Sequence, residues 1–150
     1  GYDDKLNRAL YKALQASGMN LQNYGAVLVT VADKDKQEAL ALVKRFYDLG
    51  FNIQATEGTA QYLKKNGIRT HVLRKISDNS NEIPEAIEQG HISYVINTRD
   101  IASMNQFSDG CKIRRLAIEN AVTMFTSLDT VRVLLDVLEE TTLRISTIDS

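Results

Sequence analysis

Thr56-Glu57-Gly58-Thr59 has the chemistry of an anion cradle. Two hydroxyls flank a glycine at the expected start of a helix, where unpaired backbone N–H groups and the helix dipole favour negative charge. The glycine lets an oxyanion approach the main chain closely. Lys36 and Lys75, each shortly after an apolar run, are cations able to converge on the same anion. Asn97 and Thr98 offer neutral hydrogen bonds suited to a ribose or another polyol. Taken singly, each residue also has an ordinary reading. Thr56 is then a helix N-cap, the lysines are solvated surface charges, and Asn97-Thr98 is a strand-ending turn. Their common position favours the shared reading, because every one of these stretches follows an expected strand.

Other reactive residue types form no comparable constellation. His71 lies in an expected strand and His91 follows a helix-ending glycine, so no metal-ligand spacing joins them. Cys111 has no base near it in sequence and reads as a packed or loop thiol. Ser127 reads as a helix cap without the Gly-x-Ser-x-Gly elbow of a hydrolase nucleophile. Glu139-Glu140 reads as a solvated helix end. Arg114-Arg115 is a candidate for an anion contact or, equally, for a surface or domain contact.

The elements that must position these residues alternate. Val27 to Val31 is a short, β-branched run of the kind buried on both faces. Asp33 or Asp35 can cap a helix carrying Leu40, Val43, Phe46 and Tyr47, which Gly50 ends. Phe51 to Ala55 is a second strand, followed by a short helix that closes on Lys64-Lys65-Asn66-Gly67. Arg69 to Leu73 is the third strand, and Pro84 opens a helix that Gly90 closes. Ile92 to Ile96 is the fourth, a helix covers Ile113 to Asn120, and Ala121 to Phe125 is the fifth. Ser127 caps a last helix through Leu138, and Leu143 to Ile148 is expected as a short extra strand. Five strand–helix alternations predict a doubly wound, five-stranded parallel α/β sheet with helices on both faces. Such sheets bind ligands beyond the carboxyl ends of their strands.

Composition sets the outer limits. The chain has 150 residues, 43% hydrophobic and 25% charged, with a formal net charge of −1. That size suits one domain with a real core. Near-neutrality gives no electrostatic argument for nucleic acid or an anionic membrane. One cysteine cannot form an internal disulfide, no apolar run approaches the roughly 20 residues of a membrane span, and the start is no signal peptide. A cytoplasmic location is the expectation. Leu6, Leu10, Ala13 and Leu14 mark an amphipathic helix that Gly18 stops. Residues 1–24 are therefore read as the end of a preceding domain or a linker, and 25–150 as the α/β domain.

Several stretches, in order along nearly the whole chain, carry a resemblance. Gly25 to Lys36, Ala55 to Ala60, Val95 to Thr98 and Ile113 to Arg115 resemble the C-terminal allosteric domain of the carbamoyl-phosphate synthase large subunit, the methylglyoxal-synthase-like domain. Lys5 to Ser17 is similar to the helix that ends the second synthetase unit of that subunit. The resemblance implies regulation within a glutamine-dependent ligase of pyrimidine and arginine biosynthesis, with a nucleotide effector: UMP as inhibitor, or IMP or phosphoribosyl pyrophosphate as activator. It implies that Thr56, Thr59 and Lys75 hold the phosphate, that Gly58 permits close approach, and that Lys36, Thr30 and Asn97 serve the ribose or base side. Arg114, Arg115 and Thr126 are the candidates for a second effector or an interface. The implied partners are the synthetase units of the same subunit and the glutaminase small subunit. No cofactor is expected in this fragment, while the whole enzyme would use ATP with Mg or Mn.

Departures from the family pattern refine these expectations. Arg99 stands where some lineages have a second threonine after Asn-Thr. Met124-Phe-Thr-Ser127 replaces the Tyr-Asp-Thr-Thr-like stretch of ornithine-activated members, leaving only Thr126, which argues against ornithine and for the type found in Gram-positive bacteria. The alternative is a methylglyoxal-synthase-type lyase acting on dihydroxyacetone phosphate, which needs a carboxylate base in a glycine-rich loop after strand three. Here that loop is Ser77-Asp-Asn-Ser-Asn-Glu82, without Gly-Gly-Asp and with Ser80 in the aspartate's place. Asp78 and Asp100 are nearby carboxylates that do not complete the arrangement. The fragment is therefore expected to be non-catalytic. A receiver domain would need an aspartate ending strand three, where Leu73-Arg74 stands.

Overall fold

Val27, Leu28 and Val29 are wholly buried, as a strand covered on both faces requires. In the computed structural model, which describes residues 24–98 and 104–149 (the side chains of 104–108 and 142–149 excepted), this run is β1, Ala26–Thr30. Four further strands follow: β2 (Asn52–Thr56), β3 (Thr70–Leu73), β4 (Ile92–Asn97) and β5 (Thr123–Phe125). All pair in parallel in the order β3-β2-β1-β4-β5. Helices α1 (Lys36–Asp48), α2 (Glu57–Lys65), α3 (Glu82–Glu88), α4 (Met104–Glu119) and α5 (Leu128–Asp149) make the connections, with 3-10 turns at Asp33–Asp35 and Ile76–Asp78. The expected doubly wound α/β architecture is observed.

The core divides by sheet face. On one side Val27, Val29, Ile53, Ala55, Tyr94 and Phe125 pack against Phe46 of α1, Leu63 of α2 and Leu134, Leu135 and Leu138 of α5. On the other, Leu28, Leu73 and Val95 meet Ile83 and Ile87 of α3 and Ile113 of α4. Ion pairs tie α5 to α1: the Arg45 guanidinium donates to Asp136 Oδ1 at 2.7 Å and Glu139 Oε1 at 2.5 Å, and Arg132 reaches Glu38 at 2.8 Å. Partial burial works against the Arg45 charge, but these carboxylates outweigh it and raise the guanidinium pKa above its ordinary value. Glu38 lies in the first turn of α1, so α5 is pinned beside the turn that begins with Lys36.

Two sequence expectations are corrected. Leu143 to Ile148 is not an extra strand but the continuation of α5. No glycine or proline between Leu128 and Asp149 stops the helix, and propagation costs less than starting a new element. The helix before β5 starts at Met104 rather than Ile113, running through Gly110 ahead of the expected start; a single glycine weakens a helix without ending it. Strand limits shift by a residue or two, most at β5, where Ala121 takes a left-handed φ of 56° ahead of the strand. The expected helix in residues 1–24 lies outside the described residues, apart from Tyr24, as do Arg99 and Asp100. Among the described residues no helix is long and apolar enough to cross a membrane, and no group of His, Cys, Asp and Glu could hold a metal ion.

Candidate functional site

Strand order reverses beside β1: the chain moves outward through β2 and β3, then returns to place β4 on the other side. At this switch point a crevice opens above the carboxyl ends of the strands. Thr30 and Asn97 face each other there as the last registered pair of β1 and β4, and Thr30 Oγ1 donates to Asn97 Oδ1 at 2.6 Å. One residue on, Thr98 N–H donates to Thr30 O at 3.1 Å, and Thr98 Oγ1 accepts from Ala32 N–H at 3.0 Å. The Asn97 amide is thereby oriented, with its Nδ2 donor left over. Sequence reading named both residues as a polar edge; the hydrogen bonds show why they are fixed.

A cleft of about 890 Å3 brings together Thr30, Lys36, Thr56, Gly58, Thr59, Lys75, Asn97 and Thr98. Its floor is the N-terminus of α2. Thr56 occupies the N-cap position in extended conformation yet makes no capping hydrogen bond through its side chain. Thr56 and Thr59 are only 7% and 4% exposed, and neither hydroxyl has a partner among the described residues. Neither hydroxyl is among the enclosed polar atoms that lack a partner, so both reach the cleft surface, and at a helix N-terminus they leave donors for something else. Lys36 Nζ lies over the same turn, 3.7 Å from where a side chain on Gly58 would begin. A larger residue at Gly58 would stand between the helix terminus and that ammonium. Gly58 itself is helical, so it serves by lacking a side chain and not by an unusual φ.

The loop after β3 supplies the rest of the rim. Lys75 precedes the 3-10 turn at Ile76–Asp78, and Asn79 closes the turn with a left-handed φ of 60°. Ser80 Oγ accepts from Glu82 N–H at 3.2 Å, and Glu82 Oε2 accepts from Arg74 N–H, so these side chains hold the loop's shape. Asp78 and Arg74 line the cleft. Asp33 pairs with Lys36 at 2.6 Å, and that hydrogen bond, with the fields of Lys36 and Lys75, holds its carboxyl below the usual range. Its ionisation, and with it this ion pair, is lost only as pH falls below ordinary carboxylate values.

Two neighbouring residues of α4 were missed by sequence reading. Asp109 lines the cleft; its Oδ2 accepts from Ser77 N–H at 3.3 Å, while Oδ1 is buried without a partner among the described residues. Gly110 packs so closely under β4 that a Cβ there would come within 2.9 Å of Asn97 Nδ2. Only the placement of that helix beneath Asn97 reveals either role, and the sequence carried no signal for it. Gly110→Ala should gain about 1 kcal/mol in helix propensity and lose about 0.5–1.5 kcal/mol by forcing Asn97 off its rotamer. The expected result is a melting temperature within about 4 °C of the parent together with displaced Asn97 side-chain amide resonances in a 15N spectrum. Unmoved resonances would contradict the packing.

The second-effector candidates separate. Arg114 and Thr126 line an adjoining cleft of about 620 Å3 between β4 and β5, which shares Asn97 and Thr98 with the first. Arg115 lines neither. Cys111 is an exposed thiol on α4, neither packed nor in a loop, and Ser127 does cap α5, accepting from Asp129 N–H at 3.3 Å.

Fold and cleft together define a parallel α/β domain with a crevice lined by threonines and lysines at its topological switch point. The MGS-like domain family matches residues 38–126, more than half of the sequence, and the chain belongs to that family. It includes both methylglyoxal synthases and regulatory domains of carbamoyl-phosphate synthase. Methylglyoxal synthase from Elizabethkingia anophelis NUHP1 has a similar fold, with a TM-score of 0.60 and 16% identity over 75% of this chain and 78% of that one. ForH is similar at a TM-score of 0.51 and 20% identity, covering 78% and 80%. At these identities the likeness is one of fold.

Proposed function

We propose that this chain is a regulatory module of the carbamoyl-phosphate synthase large subunit that binds a phosphorylated nucleotide in the β1–β4 cleft. The observation that carries the reading is the pair of cleft-lining hydroxyls of Thr56 and Thr59, which make no hydrogen bond among the described residues, at the N-terminus of α2 with Lys36 above them. Backbone N–H groups, two hydroxyls and an ammonium are what a phosphate monoester requires. Lys75 completes the phosphate end, and Thr30, Asn97 and Thr98 serve the ribose side. The synthetase units of the same subunit and the glutaminase small subunit are the proposed partners, in the cytoplasm, with ATP and Mg or Mn belonging to the whole enzyme. Regulation requires that the nucleotide prefer one global state of the enzyme; a tenfold preference supplies about 1.4 kcal/mol.

Calorimetric titration with UMP, IMP and phosphoribosyl pyrophosphate tests the reading. One of them should bind, and Lys75→Ala should weaken it by about tenfold, as expected for a charge-assisted contact of ~1.5 kcal/mol. Absence of binding by all three at millimolar concentration would refute the site.

A second reading, the lyase, has one observation in its favour. The Asp109 carboxylate lines the cleft with a buried oxygen that has no partner among the described residues, so a carboxylate is present there although the loop after β3 lacks the expected one. Methylglyoxal released from dihydroxyacetone phosphate, and abolished by Asp109→Asn, would establish the lyase and displace the regulatory reading.

A further inference from the structure

Lys36 is the ammonium that an anion at the start of α2 would meet, and it already has a carboxylate. Asp33 Oδ1 lies 2.6 Å from Lys36 Nζ, three residues earlier, in the 3-10 turn that leads into α1. The two partners differ in how the fold holds them. The Lys36 side chain is 21% exposed and fixed over Gly58, whereas that of Asp33 is 93% exposed. Swinging Asp33 away therefore opens no cavity and breaks no other hydrogen bond among the described residues. The more distant field of Lys75 also favours the ionised Asp33 carboxylate, and both residues line the same cleft. A phosphate placed on the helix terminus would sit beside that carboxylate, and like charges at such range repel.

We propose that Asp33 is a built-in competitor for the anion cleft: its carboxylate engages the Lys36 ammonium and must give it up when a phosphate binds. The inference rests on the anion-site reading above and adds its regulation. Asp33 sets the affinity below what the cradle alone would give, so occupancy follows changes in ligand concentration instead of saturating at low levels. The 3-10 turn bearing Asp33 is then the first segment to respond to ligand. It leads directly into α1, which ion pairs join to α5.

The test is a titration of the full 150-residue chain with inorganic phosphate at pH 8 and low ionic strength, followed by 15N chemical shifts. Asp33→Asn should tighten binding about fivefold, the scale of an exposed ion pair. Asp35→Asn removes the same charge from the same turn but faces the adjoining cleft, and should change binding less than twofold. In a Lys36→Met background, Asp33→Asn should give no gain, because no contested ammonium remains. Phosphate binding that is unchanged or weakened by Asp33→Asn, an equal gain from Asp35→Asn, or a gain that persists without Lys36 each overturns the competitor role while leaving the cleft intact. Failure of phosphate to bind both the parent and Asp33→Asn removes the anion-site reading and the competitor with it.

Discussion

Phe46→Ala is expected to lower the unfolding free energy by about 3–5 kcal/mol, the cost of deleting a fully enclosed aromatic ring. Phe46 has no exposed surface and occupies the centre of an aromatic group between α1 and the sheet. Its ring meets Phe51 edge-on, with centroids 5.3 Å apart and planes at 85°, and lies 6.1 Å from Tyr94, which in turn lies 6.2 Å from Phe125. These residues come from α1, the segment ahead of β2, β4 and β5, so the cavity would open where four parts of the chain converge. Leu63, Leu134 and Leu135 are each held by their own helices against the same core and cannot collapse into it. A domain of this size has only about 5–15 kcal/mol to lose. Urea unfolding measures the change, and Phe46→Leu, which restores most of the volume, should cost less than about 1.5 kcal/mol. A loss below about 1 kcal/mol for Phe46→Ala would mean the ring is not enclosed. Because α1 also carries Lys36 at its start, the same variant should loosen the cleft before it unfolds the domain.

The alternation of buried runs and capped helices made the α/β class legible, because strands covered on both faces read as unbroken apolar segments such as Val27-Leu28-Val29. Strand order was not legible at all. Nothing local in the sequence places β4 beside β1, yet that adjacency sets Thr30 against Asn97 and creates the switch point. Residues lying directly after strands were found for the same reason the strands were: Lys36, Thr56, Gly58, Thr59, Lys75, Asn97 and Thr98 follow runs whose ends are visible, and the fold gathers them into one cleft. Asp109 and Gly110 lie inside a helix of weak periodicity, interrupted by that glycine, and their roles come from packing under a strand distant in sequence. The continuation of α5 was missed because Thr141, Thr142, Ile145, Thr147 and Ile148 are β-branched. That preference is weak against a helix already nucleated and packed through Leu138.

Thr56→Val with Thr59→Val should divide stability from binding. Valine has nearly the shape of threonine and carries no group needing a partner, so replacing hydroxyls that the fold leaves unsatisfied is expected to be neutral or slightly stabilising. Neither hydroxyl holds the fold: Thr56 makes no capping bond, and the Thr59 hydroxyl, on the cleft, has no partner among the described residues. Each would lose a hydrogen bond to a phosphate, worth about 1.5–3 kcal/mol when the acceptor is charged. Together that is at least about a hundredfold in affinity, against a melting temperature no lower than that of the parent. If the hydroxyls were ordinary helix-capping groups, the signs would reverse: Thr56→Val would lower stability by about 1 kcal/mol and leave nucleotide binding untouched. Calorimetric titration and thermal unfolding of the single and double variants separate the two outcomes. A stable double variant that no longer binds is the result that a ligand-directed pair of hydroxyls demands, because residues kept for a partner outside the chain contribute nothing to the chain's own folding.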